Sequence, residues 1–438
     1  MKKIFICCLL AFLGVQFTHS ALKAQDNTWV QQVIICNGGL FETTPPFADF
    51  VTMEKYDPAT KLTNTFNTIH TQSVQDIIIV SNHAYVAAQD SIVEYDLNTY
   101  QRVAAVADSG LDRLGFYNNK LIVTKQFPIK RFFVEVLDAN NNLGLLARVS
   151  NIPGDCGGVT STADSVYVAV NGGFAGTQGK LAVLNPFNWL VTRVINFDTG
   201  AVGMNDLYRY NGKIYTVNQS PFNVNNKGSI STYDLTTGVH VNHILNVKVG
   251  KSYGIVGNLL YVQFNNDLGS YNLDQNTIAD TSIVPSPGGP NKIVILAGAA
   301  DSVNNRLYIN FGNETAPGLG IVTSLTGDSI TSFPEGIAGD AIALDVRTST
   351  GINNTKQDKD FISIYPNPAG DFMFLQLNRG EAISNIAIYN ITGQKLMNQA
   401  ISGSGKFLRI DCASLPSGIY FLSVNTGNGI KTKKFIKK

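Results

Sequence analysis

Charged, amide and aromatic side chains recur where short apolar runs of this sequence begin, and they are its best candidates for chemistry. Carboxylate and amide oxygens that converge can hold a divalent metal, and a concave face of mixed polar and apolar groups can bind a ligand. The candidates at these positions are Asp76, Asp112, Arg113, Asp155, Asn205, Asp206, Tyr253, Lys292 and Asp340. An alternative explanation is that these carboxylates accept hydrogen bonds from a crowded backbone.

Enzyme signatures are scarce. We find no nucleophile elbow, no cysteine pair with metal-ligand spacing and no phosphate-binding glycine loop. His240 and His243 are three residues apart on an expected strand, so they point to opposite faces and cannot share a metal. The sequence therefore predicts no catalytic residue, no metal ligand and no cofactor, and a binding protein is expected rather than an enzyme.

A second set of candidates is aromatic. Glycine- and amide-rich stretches of variable length follow several apolar runs, and loop variation on a rigid scaffold is where binding function is usually placed. The aromatic candidates in these loops are Phe127, Phe174 and Phe222. We expect them on the same face as the polar set, where they would bind a small molecule, a glycan or a protein.

The elements that must position these residues are repeats. The run from Tyr167 to Asn171 has six degenerate copies elsewhere in the chain, mostly about 45 residues apart, which is the period of a β-propeller blade. The copies cover 33–37, 85–89, 122–126, 215–218, 261–265 and 308–313. A second recurring mark, Tyr-Asp-Leu at Tyr95 and Tyr233, predicts a tight turn in which the aspartate caps its own backbone.

Counting the repeats gives seven blades. The first unit lacks an innermost strand, whereas 340–346 resembles an innermost strand without a blade, so pairing the two ends would close the ring and leave no open edge. We predict an all-β protein, a seven-bladed β-propeller over 27–346 followed by a small immunoglobulin-like β-sandwich. The polar stretch 347–360 is a predicted linker.

Composition and the N-terminal sequence indicate the cellular destination of the protein and the classes of partner to expect. Charged residues are 15% of the chain and the net charge is +1, which indicates no nucleic-acid partner. Residues 1–24 have the charged start and short apolar run of a secretory signal peptide, and no transmembrane helix is expected after its removal. The odd number of remaining cysteines, Cys36, Cys156 and Cys412, predicts buried thiols rather than a disulfide framework.

The last segment, 361–438, carries more specific motifs. They are Tyr365-Pro366-Asn367-Pro368, an Asn-Ile-Thr-Gly turn that ends at Gly393, and a Ser-Gly-Ile-Tyr run that contains Gly418 and Tyr420. In this order, with a lysine-rich last strand, they resemble the C-terminal sorting domain of type IX secretion cargo. An ordinary immunoglobulin-like adhesive module would share the strands but not these turns. The resemblance implies handling by the type IX secretion machinery and a secreted or outer-surface protein that passes through the periplasm.

The repeats are similar to those of the YVTN/surface-layer propeller group, on the strength of Val-Tyr-Val-Ala-Val-Asn and Tyr-Asp-Leu-Thr-Thr-Gly. That group includes cell-surface propellers that capture corrinoids, but no residue pattern here supports corrinoid contacts. We expect a secreted or cell-surface propeller that binds an extracellular ligand on the face from which the variable loops emerge, which we call the long-loop face. The alternative is an extracellular metal-dependent propeller enzyme, similar to a lactonase or lyase. Its metal would be held by the acidic residues at the starts of the innermost strands, which we call the axial acids.

Overall fold

The computed structural model describes residues 27–40, 42, 44–173, 176–219, 227–289, 292–349, 362–377, 383–401, 407–426 and 429–438. The predicted signal peptide and most of the predicted linker lie outside this part of the chain. Two compact units are present, one of which covers Asp26–Ser349. The described strands that follow residue 361 belong to the other.

The described part of the first unit consists of β-strands, with a short 3-10 helix at Asp198–Ala201. Its first fifteen strands are β1 (Asn27–Asn37), β2 (Val51–Asp57), β3 (Leu62–Ile69), β4 (Asp76–Val80), β5 (His83–Ala88), β6 (Ser91–Asp96), β7 (Gln101–Ala107), β8 (Leu111–Tyr117), β9 (Lys120–Lys125), β10 (Val134–Asp138), β11 (Gly144–Val149), β12 (Cys156–Ser161), β13 (Val166–Val170), β14 (Lys180–Leu184) and β15 (Val191–Asn196). The others are β16 (Met204–Tyr210), β17 (Lys213–Asn218), β18 (Ser229–Asp234), β19 (His240–Ile244), β20 (Val249–Val256), β21 (Leu259–Phe264), β22 (Asp267–Asn272), β23 (Thr277–Val284), β24 (Val294–Asp301), β25 (Arg306–Gly312), β26 (Pro317–Ser324), β27 (Ser329–Ile337) and β28 (Gly339–Ser349).

These strands form seven four-stranded antiparallel sheets arranged as the blades of a propeller. Blade 1 has the order β28-β1-β2-β3, and blades 2 to 7 each take four consecutive strands from β4 to β27. The innermost strands β28, β4, β8, β12, β16, β20 and β24 contact one another in turn, and β24 contacts β28 again. The contacts form a closed ring, so the predicted seven-bladed propeller is confirmed.

In blades 2 and 4 the second strand is more buried than the innermost strand and the fourth strand is mostly exposed, which explains the repeated motif. The second strand of blade 4, β13, is buried at every residue, whereas the fourth strand, β15, is mostly exposed. A second strand lies between two neighbouring blades, and both of its faces therefore meet apolar side chains. This position selects a continuous apolar run rather than an alternating one.

The third strands end in the predicted turns. Asp96 Oδ1 accepts hydrogen bonds from the backbone N–H groups of Asn98 and Thr99, at 2.6 and 3.2 Å. In the turn after β18, Asp234 Oδ1 accepts from the N–H groups of Thr236 and Thr237, at 2.9 and 2.8 Å. The aspartates cap their own turns as predicted, because a short carboxylate reaches the N–H groups two and three residues on.

The two ends of the propeller pair with each other. Strand β28 runs antiparallel to β1, from Asn27 opposite Ser349 to Asn37 opposite Gly339, which confirms the predicted closure. The strand continues to Ser349, past the predicted end of the propeller at 346.

A buried carboxylate reinforces the closure. Asp345 on β28 accepts from Gln32 Nε2 on β1 at 2.9 Å and from Arg347, whose second nitrogen lies 2.7 Å from Oδ2. Arg347 also donates to Asn98 Oδ1 of blade 2 at 2.9 Å. One charge-assisted network therefore joins the last strand, the first strand and the second blade.

The second unit is a β-sandwich of seven described strands. They are β29 (Ile362–Tyr365), β30 (Phe372–Leu377), β31 (Ile383–Asn390), β32 (Lys395–Ala400), β33 (Phe407–Asp411), β34 (Gly418–Thr426) and β35 (Gly429–Lys437). They form the sheets β29-β30-β33 and β32-β31-β34-β35, and residues from both sheets, including Met373, Ile388 and Phe435, make one core. The predicted sandwich is confirmed.

The three cysteines of the described chain are free. Cys36 and Cys156 are buried in the propeller, and Cys412 is buried in the sandwich. Burial raises the pKa of each thiol, which favours the unreactive protonated form. The prediction of buried thiols is confirmed.

The closure network should matter for stability. We expect Arg347→Met to lower the free energy of unfolding by about 3 kcal/mol, because it leaves the fully buried Asp345 without its cation. Urea unfolding followed by tryptophan fluorescence would measure this change, since both tryptophans, Trp29 and Trp189, lie in the propeller. As the matched control, Arg148→Met removes an arginine that is 55% exposed in its ion pair with Glu135 and should cost less than about 1 kcal/mol. An equal decrease in the free energy of unfolding for the two variants would contradict a special role for the closure network.

Candidate functional site

The innermost strands of all seven blades surround a cavity of about 370 Å³ on the propeller axis. Each strand contributes residues near its start, at the end of the propeller from which the second-to-third strand loops emerge. Small residues such as Gly158, Gly254 and Gly298 line part of the wall. A methyl group on Gly298 would lie 3.0 Å from the ring of Tyr253, so glycine lets neighbouring blades approach closely.

Arg113 on β8 is the central cation of this channel. Its Nε lies 3.3 Å from Asp206 Oδ1 on β16, and one terminal nitrogen donates to the Gln75 carbonyl at 3.2 Å and lies 3.6 Å from Asp112. The guanidinium therefore connects blade 3 with blades 2 and 5. Burial by itself would lower the pKa of Arg113, but the surrounding carboxylates raise it, and Asp206 has the largest effect among them.

A chain of hydroxyl groups extends the network to blade 6. Asp206 Oδ2 accepts from Ser252 Oγ at 2.7 Å, and Ser252 Oγ accepts from the Tyr208 hydroxyl at 3.1 Å. Burial raises the pKa of Tyr208, and the charge of Asp206 adds to the effect. The phenol therefore stays protonated and able to donate at neutral pH.

Two other predicted acids interact with Arg113, Asp76 on the cavity wall and Asp112 outside it. Asp76 Oδ2 accepts from the Leu114 N–H at 2.8 Å, and burial raises the pKa of Asp76 although Arg113 partly offsets the effect. Burial also raises the pKa of Asp112 to about 6, again opposed by Arg113. The contact of Asp76 supports, for that residue, the alternative in which an inner-strand carboxylate accepts a hydrogen bond from the axial backbone.

Lys251 on β20 and Asp340 on β28 are two further charged residues of the cavity wall. Lys251 Nζ donates to the Leu296 carbonyl at 2.8 Å. Its side chain is accessible within the channel but is surrounded by protein, which lowers its pKa, while the charge of Asp340 acts in the other direction. Burial raises the pKa of Asp340. Both groups line the cavity and could meet a ligand of either charge.

Tyr253, from the predicted set, also lines the cavity. Its ring packs over Gly298, and its hydroxyl has no hydrogen-bond partner among the described residues. Burial raises the pKa of Tyr253, so the group is a neutral donor. A buried hydroxyl without a partner costs free energy unless something in the channel satisfies it.

Five described residues of the predicted set lie outside the cavity wall, namely Asp112, Asp155, Asn205, Lys292 and Phe127. Asp155 Oδ2 accepts from the Phe127 N–H at 3.2 Å, which holds the loop after β9 at the long-loop face. The Phe127 side chain itself is 73% exposed. Asn205 packs its backbone against Gly157, and Lys292 lies exposed in a turn. Phe174 and Phe222 are outside the described residues.

The loop beside Asp155 requires glycine. Gly173 has a φ of +65°, and a methyl group there would lie 2.3 Å from Asp155 Oδ2. Its N–H donates to Asn171 Oδ1 at 2.8 Å. The amide that ends the repeated motif of blade 4 is therefore a turn former.

Sequence reasoning missed Lys251, Ser252, Tyr208 and Gln75. Axis-facing residues could have been found from the strand register of each blade. The inner-strand residue that pairs with the third position of the repeated motif faces the axis. In blades 2 and 5 this residue is Asp76, opposite Ala87, and Asp206, opposite Val217. In blade 6 the motif has Gln263 there, and its Oε1 accepts from the Lys251 N–H at 3.1 Å.

The channel is thus an ion network with an arginine near its centre. Within the described residues, no three Asp, Glu, His or Cys side chains come together as they would around a metal. Its carboxylates instead accept from Arg113, from Ser252 and from backbone N–H groups. Such an arrangement can orient a polar ligand through the free capacity of Lys251, Asp340 and Tyr253.

The motif residues of the second unit form its turns. Asn367 Oδ1 accepts from the Ile436 N–H at 2.9 Å, which ties the segment from Tyr365 to Pro368 to the last strand. Gly393 has a φ of +81° in the turn after β31. Tyr420, which follows Gly418 at the start of β34, donates its hydroxyl to the Pro416 carbonyl at 2.7 Å.

Asp112 predicts a pH dependence. The native state holds its proton more tightly than the unfolded chain, so this group lowers stability as pH rises from about 4 to about 6. Asp112→Asn stays neutral and should be more stable than the original protein by roughly 2 kcal/mol at neutral pH, with little difference near pH 4. Urea unfolding at the two pH values measures this. A variant less stable at neutral pH would show that ionised Asp112 stabilises Arg113.

Comparisons with solved structures give distant matches. The RRP9 WD40 repeats are 8% identical with a TM-score of 0.48, covering 69% of this chain and 87% of that one. The designed Ika8 protein is 13% identical with a TM-score of 0.45, covering 71% and 96%. Hydrazine synthase of Kuenenia stuttgartiensis is 10% identical with a TM-score of 0.46, covering 60% and 88%. The strand topology of the chain itself, rather than these scores, establishes the propeller.

No curated protein matches the sequence significantly. Among the described residues, no helix has the length and apolar character needed to cross a bilayer. Residues 363–438 match the family model described as a secretion system C-terminal sorting domain. The predicted type IX sorting domain is confirmed, and the protein is secreted or displayed at the outer cell surface.

Proposed function

We propose that this protein is a non-enzymatic, extracellular binding protein whose propeller, 27–346, takes a polar small molecule, a glycan or a protein segment on its long-loop face. Residues 361–438 would direct its export and 347–360 would link the two. The observation that carries the proposal is the axial cavity, which combines two cations, several carboxylates and a buried tyrosine hydroxyl without a partner. Concave sites with a few convergent polar groups are typical ligand sites.

The long-loop face adds an apolar contact. Phe127 is held by its backbone to Asp155 while its ring remains in solvent. An exposed aromatic ring on a tethered loop gives contact area at a low cost in conformational entropy. We infer that the ring and the channel mouth contact the same ligand.

The contacts of the acids favour binding over metal-dependent catalysis. An enzyme of the lactonase type would need several carboxylate or amide oxygens free to meet one ion. Here Asp206 accepts from Arg113 and Ser252, and Asp76 accepts from a backbone N–H. These acids are engaged within the protein, which supports a binding role for the channel.

The binding face can be tested with the secreted protein on arrays of glycans and peptides. For any ligand captured, Phe127→Ala and Lys251→Met should each weaken binding about tenfold or more, because both groups would contact it. Phe187→Ala is the matched control, since Phe187 is 79% exposed in a third-to-fourth strand turn, which emerges at the other end of the propeller. Binding weakened only by Phe187→Ala would place the site on the opposite face.

The role of the last segment can be tested separately. Deleting 361–438 should leave the propeller folded but trapped in the periplasm, because the sorting domain would be missing. Cell fractionation with an antibody against the propeller measures the distribution. Normal export of the truncated protein would contradict the assignment, whereas loss of the protein from every fraction would call for repeating the test with a fused reporter.

A further inference from the structure

A second cavity, of about 380 Å³, lies between blade 7 and blade 1, away from the channel. Its polar wall includes Asn37 on β1, Glu54 on β2 and Glu335 on β27, together with three threonines and Asp49, whose carboxylate already accepts from the N–H groups of Leu40 and Phe50. These strands are distant in sequence and meet because the ring closes there. Below the cavity, Tyr56 stacks on Phe333 at 4.3 Å between ring centroids, so the joint between the blades is apolar apart from this end.

The cavity is bordered by buried oxygens without hydrogen-bond donors. Both carboxylate oxygens of Glu335 lack a partner among the described residues, although the residue is only 5% exposed. Asn37 is 1% exposed, and its Oδ1 is also unpartnered while its Nδ2 donates to Thr52 Oγ1 at 3.1 Å. Glu54 Oε2 likewise lacks a donor, and its Oε1 accepts only a long bond of 3.4 Å from Thr65.

Two of these groups converge at the start of β28. A methyl group placed on Gly339 would lie 2.8 Å from Glu335 Oε2 and 3.4 Å from Asn37 Oδ1, and also 3.0 Å from Asn310 Nδ2, which donates to the Gly339 carbonyl. A carboxylate from blade 7 and an amide from blade 1 therefore point at the same small volume. The absence of a side chain at Gly339 keeps that volume open.

The electrostatics of this cavity are unbalanced. Among the described residues, no Lys, Arg or His forms an ion pair with either glutamate. Two buried carboxylates without a cation are costly unless protons or an added cation neutralise them, so a divalent cation would compete with protons for these oxygens.

We propose that Glu54, Glu335 and Asn37 bind a divalent cation of the Ca²⁺ class in the joint between blade 7 and blade 1. The available ligands are all oxygens, two carboxylates and an amide, which suits a hard cation and not a thiolate- or imidazole-bound metal. Ca²⁺ accepts irregular geometry and takes its remaining ligands from water, whereas Mg²⁺ demands a regular octahedron. Binding would hold the first blade to the last and stabilise the closed ring.

The destination of the protein fits a site of modest affinity. Extracellular modules bind Ca²⁺ with dissociation constants of about 10⁻⁴ to 10⁻³ M, which suffices where the ion is plentiful. Because a cation that binds only the folded state stabilises it by mass action, the effect should grow with Ca²⁺ concentration. The proposal does not depend on any ligand of the channel.

The test uses the full secreted protein, stripped with EDTA and then titrated with CaCl₂. We expect saturable binding at one site by calorimetry and a rise in the thermal unfolding midpoint, with MgCl₂ at least about tenfold weaker. Glu335→Gln and Glu54→Gln should each abolish both responses. In EDTA, Glu335→Gln should be no less stable than the original protein, because a neutral amide replaces a buried carboxyl group.

Glu94→Gln is the matched control, because Glu94 is a buried glutamate of blade 2 whose carboxylate already has partners, His83 at 2.7 Å and Tyr85 at 3.3 Å. It should keep the full Ca²⁺ response. The proposal is overturned if the original protein shows neither binding heat nor a shifted midpoint up to about 10 mM CaCl₂. It is equally overturned if Ca²⁺ binds but both glutamine variants respond like the original protein.

Discussion

The pairing of β28 with β1 is the constraint on which the propeller depends. Each blade has a buried second strand that needs a neighbouring blade on both sides, and only a closed ring supplies one to the first and last blades. The closing strands come from opposite ends of the unit, so the chain must bring Asn27 and Ser349 together before the seventh interface exists. The buried Asp345, bound by Gln32 and Arg347, fixes the register of that pairing.

Closure also creates the two polar sites. The axial channel exists because seven inner strands start around one axis, which forces carboxylates of different blades near one another. Arg113 offsets the repulsion between these carboxylates, since it contacts Asp206 two blades away and also donates to the carbonyl of Gln75. Among the described residues, no cation pairs with Glu335 or Glu54, and this difference separates the self-neutralised channel network from the proposed cation site.

Much of the architecture could be predicted from the sequence, because the determinants are local. Each blade has a second strand with an apolar run that is buried on both faces. Third strands end in an aspartate that caps its own turn, and these marks recur about every 45 residues. The sorting domain was equally accessible, since its motifs are turns closed by Asn367, Gly393 and Tyr420. The likeness to the YVTN group stays a prediction, as do the domain boundaries and the ligand.

The sequence by itself determined the number of blades, the missing inner strand of the first and the destination of the protein, because repeats and turn motifs act over short distances. Only the tertiary structure decided which polar residues meet. Asn171 and Asn37 end equivalent copies of one motif, yet Asn171 caps a turn while Asn37 faces Glu335 from another blade. Likewise Asp206 and Lys251 face the axis, whereas Asn205 and Lys292 do not. A strand alternates its faces with every residue, so a single position of register separates a site residue from a packing residue.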